Sequence, residues 1–147
     1  MAIAVIGIMR LYSQPRQLPY RQRGKLVTKS ELRFYRSLAK AVQDDFEVFA
    51  MVRIADLLRV EDGTANYRKW LNKILAKHID FVLCDPGTLE PKLCIELDDR
   101  SHERPDRMER DRFVDLAFES AGLPLLRVEV KKSYPVREVR QLIDDLL

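Results

Sequence analysis

Two carboxylates, Glu96 and Asp98, stand near the end of an otherwise apolar alternating run, Lys92-Leu-Cys-Ile-Glu-Leu-Asp-Asp-Arg-Ser-His102. Leu93, Ile95 and Leu97 alternate with Cys94, Glu96 and Asp98, which is the period of a β-strand. Alternate side chains of a strand share a face, so Glu96 and Asp98 project together, about 7 Å apart. An unpaired charge inside a core is costly. Two of them side by side, with His102 just past the strand, ask for a cation.

Asp80 supplies a third carboxylate from His78-Ile-Asp-Phe-Val-Leu-Cys84, which reads as the preceding strand. Partners in an antiparallel pair have residue numbers with a constant sum, and a slip of one residue inverts every face. A sum of 176 sets Asp80 opposite Glu96, and 178 sets it opposite Asp98. An odd sum separates them. The sequence leaves the register open, but keeping Ile79, Phe81, Leu83, Leu93, Ile95 and Leu97 on one apolar face favours an even sum, with Cys84 and Cys94 beside the acids.

Such a cluster suits a hard divalent ion, Mg2+ or Mn2+. Magnesium takes oxygen ligands and commonly only one or two carboxylates, completing its shell with water and substrate phosphate. It lowers the pKa of a bound water and neutralises charge that builds on a phosphodiester. Glu31, from a helix earlier in the chain, is a candidate to orient an outer-shell water. His102 is a candidate general acid or base, or a phosphate contact. Each residue also has a plain structural reading. Glu31 closes a capping box, Asp80 pairs with a basic neighbour such as Arg127, and His102 is a loop histidine.

Positioning these groups falls to an alternating series of elements. Residues 10–27, with Pro15, Pro19 and Gly24 among Gln, Arg and Tyr, predict an extended arm. Thr28-Lys-Ser-Glu31 is a capping-box pattern opening a helix to about Gln43, and Glu31 falls on its Tyr35, Leu38, Val42 stripe. Phe46–Val52 reads as a strand and Ile54–Val60 as a helical turn. Thr64 caps a predicted helix to about Lys77, whose apolar side (Tyr67, Trp70, Leu71, Ile74) is expected in the core. The two acidic strands follow, joined by Asp85-Pro86-Gly87-Thr88 turn chemistry. A helix from Pro105 or Asp106 to Ala121, packed through Phe113, Leu116, Ala117 and Ala121, ends at Gly122. Its first half carries Arg107, Arg110 and Arg112, either a nucleic-acid contact or a solvated face with i,i+4 pairs. Residues 125–130 form a fourth strand and 136–147 a last amphipathic helix. The expected fold is α/β: a mixed four-stranded sheet flanked by helices, with an α-β-β-β-α-β core.

Composition bounds the alternatives. The chain of 147 residues fits one domain over residues 28–147, preceded by an apolar start and basic arm over 1–27. Residues 1–30 hold six basic side chains and no acidic one, which leaves 20 basic and 23 acidic beyond them. The body is therefore not a strongly basic nucleic-acid binder. Cys84 and Cys94 cannot build a four-ligand zinc site and read as buried thiols of a reducing cytoplasm. No stretch approaches the ~20 apolar residues of a membrane span. Residues 1–9 are apolar, either the remnant of an anchor or a short extra strand, and the basic arm after them suits a cytoplasmic flank or a tether to acidic lipid or a nucleic-acid backbone.

The stretches Leu26-Val-Thr-Lys-Ser-Glu-Leu-Arg-Phe-Tyr35, His78-Ile-Asp-Phe-Val-Leu83, Cys94-Ile-Glu-Leu-Asp-Asp-Arg-Ser-His102 and Ala121-Gly-Leu-Pro-Leu-Leu-Arg127 together resemble the restriction-endonuclease-like PD-(D/E)xK superfamily. The closer likeness is to a functionally uncharacterised bacterial branch related to the very-short-patch repair endonucleases, over roughly residues 25–130. The resemblance implies a restriction-endonuclease-like sheet, metal-site roles for Glu31, Asp80 and Glu96, and Mg2+-dependent cleavage of DNA. It also exposes a departure. The superfamily's usual Lys two residues after the Glu is Asp98 here, so His102 or one of Arg107, Arg110 and Arg112 has to supply the positive charge. Without that replacement the fold is kept as a non-catalytic module binding nucleic acid or a protein partner.

Overall fold

In a computed structural model, which describes residues 18–98 and 105–147, one sheet carries the architecture. The elements run α1 (Lys29–Val42), β1 (Glu47–Arg53), α2 (Ile54–Leu57), α3 (Tyr67–Leu75), β2 (His78–Cys84), β3 (Pro91–Asp98), α4 (Pro105–Ala121), β4 (Leu125–Glu129) and α5 (Val136–Asp144). The sheet order is β1-β2-β3-β4. The β1–β2 and β2–β3 pairs are antiparallel, and β4 returns parallel to β3 after the α4 crossover. This is the expected mixed α/β sheet flanked by helices.

Two apolar clusters hold the helices against the two faces. Phe34 and Leu38 of α1 and Val139 and Ile143 of α5 pack on Phe81, Leu83, Leu93 and Ile95. Ile54, Ile74, Val114 and Phe118 pack on Val82, Cys84 and Cys94 on the other side. Burying a large apolar side chain stabilises by roughly 1.5–3 kcal/mol. Phe34 and Leu38, with no exposed surface, thus fix α1 firmly over the sheet.

The register of β2 against β3 has the sum 176, in the pairs Phe81↔Ile95, Val82↔Cys94 and Leu83↔Leu93, before a bulge at Leu83/Cys84. The even register is the one that keeps both apolar faces buried. One residue departs from the expected parity: Ile79 joins the second cluster, away from Phe81 and Leu83. Next door in β1, Met51 has φ 58°. On either side of this irregularity Val48 and Ala50 face the first cluster, while Val52, the partner of Ile79, faces the second.

Three further local expectations are corrected. Thr64 does not cap α3; its hydroxyl donates to the Glu61 carbonyl at 2.7 Å, and Asn66 (φ 58°) occupies the N-cap position. Tyr67 and Trp70 are not core, being 41% and 42% exposed, because only one row of the short α3, centred on Ile74, meets the sheet. In α4 the buried positions are Val114 and Phe118, whereas Leu116 is exposed. Among the described residues no helix is long and apolar enough to cross a membrane.

Candidate functional site

The capping box at the start of α1 forms as read. Thr28 N–H donates to Glu31 Oε2 at 2.9 Å, and Glu31 N–H donates to Thr28 Oγ1 at 3.3 Å. Tyr35, one turn on, stacks on Phe81 of β2 with ring centroids 6.0 Å apart. The helix therefore lies over the strand that carries Asp80, and the Glu31 charge is felt there.

Asp80 follows from the register. Beyond the Phe81↔Ile95 pair its own carboxylate reaches across to β3, where Oδ2 accepts the Leu97 N–H at 2.8 Å. That bond fastens Asp80 beside Glu96. Burial raises the Asp80 pKa, the Leu97 N–H pulls it back, and the charges of Glu31 and Asp98 raise it further. Glu96 is pushed up to about 7, first by burial and then by the Asp80 charge, against the opposing pull of Arg127 and Arg110. Its Oε2 is buried with no hydrogen-bond partner among the described residues. Such an orphaned acceptor is uncommon and costs free energy unless a proton or a cation satisfies it.

Asp98 is engaged elsewhere. Its Oδ1 accepts from Arg127 Nη1 at 2.9 Å, and Arg127 Nε donates to Asp115 Oδ1 at 2.8 Å. Arg127 lies on β4, paired in parallel register with Glu96. The basic partner considered for Asp80 thus serves Asp98 and Asp115. Arg127 is the site residue that sequence reasoning undervalued; its clue was the Leu-Pro-Leu-Leu-Arg127 strand pattern, but only the parallel β3–β4 pairing brings it to Glu96.

The structure therefore gathers Glu31, Asp80, Glu96 and Asp98 along one end of β2 and β3, with the Arg127 charge among them. Arg110 lies near enough to lower the Glu96 pKa. Arg112 turns elsewhere, into a groove of about 740 Å³ lined also by Leu58, Trp70, Ile74, Phe113 and Leu116, which includes none of the four acids. His102 and the Arg107 side chain lie outside the described residues, as do residues 1–17 of the arm. Cys84 and Cys94 are buried free thiols; burial, with Cys84 and Glu96 nearby, pushes Cys94 up to about 12 and leaves it a packing residue.

The donor set is all carboxylate oxygen, which fits Mg2+ or Mn2+ and not a soft ion. Among the described residues no group of three or more His, Cys, Asp or Glu side chains is disposed to enclose an ion. A cation here would be held by one or two carboxylates, with Asp80 and the unsatisfied Glu96 Oε2 the ready donors, which is magnesium's habit. Residues 23–146 match the model of a family described as "Protein of unknown function (DUF2726)". No curated protein and no solved structure matches the chain.

Proposed function

We propose that the chain, which belongs to the DUF2726 family, is a metal-dependent nuclease of restriction-endonuclease-like fold that hydrolyses phosphodiester bonds in cytoplasmic DNA. One observation carries the reading: a buried Glu96 oxygen with no partner among the described residues, set beside an Asp80 carboxylate that is itself tied to the neighbouring strand. Structural carboxylates find donors. One left unsatisfied next to a second is what a cation-binding pair looks like before the cation arrives.

In this reading Asp80 and Glu96 hold the ion, and Glu31 orients a water from the end of α1. His102 exchanges a proton with the phosphodiester oxygens, and Arg107 and Arg110 meet the DNA backbone. Bound Mg2+ or Mn2+ would make an attacking hydroxide available near neutral pH and offset charge on the phosphate. Supercoiled plasmid incubated with the protein and either ion should be nicked, and Glu96→Gln should abolish the nicking. Equal nicking by the variant would mean that the activity is not this protein's.

The Asp98–Arg127 pair favours a second reading, because each charge is partly cancelled by the other. In it the domain binds nucleic acid or a protein partner without cutting. Salt-sensitive DNA affinity, with neither cleavage nor metal binding, would favour that reading over the first.

A further inference from the structure

A cluster of carboxylates repels a phosphodiester, so cleavage at this site calls for a fixed cation that meets the phosphate oxygens as charge develops on them. Resting on the nuclease reading, we propose that Arg127 receives a non-bridging oxygen of the scissile phosphodiester, with Asp98 and Asp115 setting the plane of its guanidinium.

Three observations carry this assignment. Arg127 sits opposite Glu96 in the parallel β3–β4 ladder, so the backbone holds its side chain next to the candidate metal ligand. Its guanidinium is clamped at two points, Nη1 on Asp98 at 2.9 Å and Nε on Asp115 at 2.8 Å, with a long third contact from Nη2 to the Asp111 carbonyl at 3.4 Å. A guanidinium carries five N–H groups, so two remain for an incoming oxyanion among the described contacts, and the long third bond is weak enough to yield. The side chain is 23% exposed, buried enough for its orientation to be fixed and open enough for a phosphate to reach it. Arg110 also acts on Glu96 but is exposed on α4, with no hydrogen bond to the cluster among the described residues.

The rigid planar fork of arginine, preset by two carboxylates, matches two oxygens of a phosphate in a way an ammonium cannot. Asp98 then takes on a definite role. It occupies a position on the Glu96 face, and through it the cation is delivered from the adjacent strand.

The test is steady-state cleavage of plasmid DNA with Mg2+ by the full chain and its Arg127 variants, alongside Glu96→Gln and thermal melting of each protein. Arg127→Ala should lower kcat by about a hundredfold or more. Guanidinium ion in solution should restore a large part of that loss, and ammonium should not. A merely structural arginine would not respond in this way. Arg127→Lys keeps the charge and the packing but loses the fork; it should melt close to the wild type and cleave about tenfold more slowly. Glu96-dependent cleavage that proceeds at the wild-type rate in Arg127→Lys, or a loss in a folded Arg127→Ala protein that guanidinium leaves untouched, would overturn the assignment while sparing the nuclease reading. Wild-type protein without Glu96-dependent cleavage would overturn both.

Discussion

Glu96 is the residue whose surroundings are least like those of a structural carboxylate. Its folded pKa of about 7 lies above the value of an exposed glutamate, so the folded protein takes up the proton more readily than the unfolded chain. A raised pKa contributes stability that is fully present below the unfolded value and is lost as pH rises through the folded one. Metal-free protein should therefore become less stable between about pH 4.5 and pH 7 on account of this group. Asp80, raised in the same direction, adds to the slope. Glu96→Gln carries no titrating proton, so the difference in melting between variant and wild type should widen with pH, reaching on the order of 2 kcal/mol in the variant's favour by pH 8. Melting curves of both proteins at several pH values read this directly; parallel curves would mean that the carboxylate is already satisfied.

At the scale of the element, the N-terminal turn of α1 does two things with one side chain. Glu31 accepts the Thr28 N–H, and its charge also acts on Asp80. The two roles separate by substitution. Thr28→Ala breaks the cap and should cost about 1 kcal/mol of stability, leaving the Glu31 charge in place. Glu31→Gln keeps an oxygen for the cap and should melt within about 0.5 kcal/mol of wild type, yet cleavage should fall by about tenfold with the loss of its charge. Cleavage untouched by Glu31→Gln would reduce the residue to its cap. The cap was legible in the sequence because capping boxes are local. The stripe was legible only in part, since Leu38 and Val42 are buried but Tyr35 is 37% exposed and the buried Phe34 and Ala41 lie beside the predicted row. The α3 region was not. Thr64 reads as a cap on local chemistry, but Trp70 and Tyr67 stay 42% and 41% exposed, and only tertiary packing decides that. The stripe of α4 was misplaced for a related reason: Phe113, Val114, Leu116, Ala117 and Phe118 crowd together and offer more than one apolar face.

Across the whole molecule, the order of elements and the antiparallel half of the sheet could be read because alternation and parity leave few ways to bury both faces. The sum of 176 holds over Phe81–Leu83 and Leu93–Ile95, and just past its last pair the Asp80 carboxylate reaches β3 at the Leu97 N–H. The parallel half was harder. A crossover through α4 sets the β3–β4 register without any local signal, and Arg127 reached Glu96 and Asp98 unforeseen for that reason. Helices on both faces anchor the strand ends that carry the acids, so the site is built on the rigid part of the fold. The central claim is that Asp80 and Glu96 form a seat for a hard divalent cation. Anomalous diffraction from a crystal soaked in Mn2+ addresses it most directly. The account predicts a peak within coordination distance of both carboxylates that is absent from Glu96→Gln crystals. Fully soaked crystals with no peak there, or with the ion bound away from Asp80 and Glu96, would contradict it.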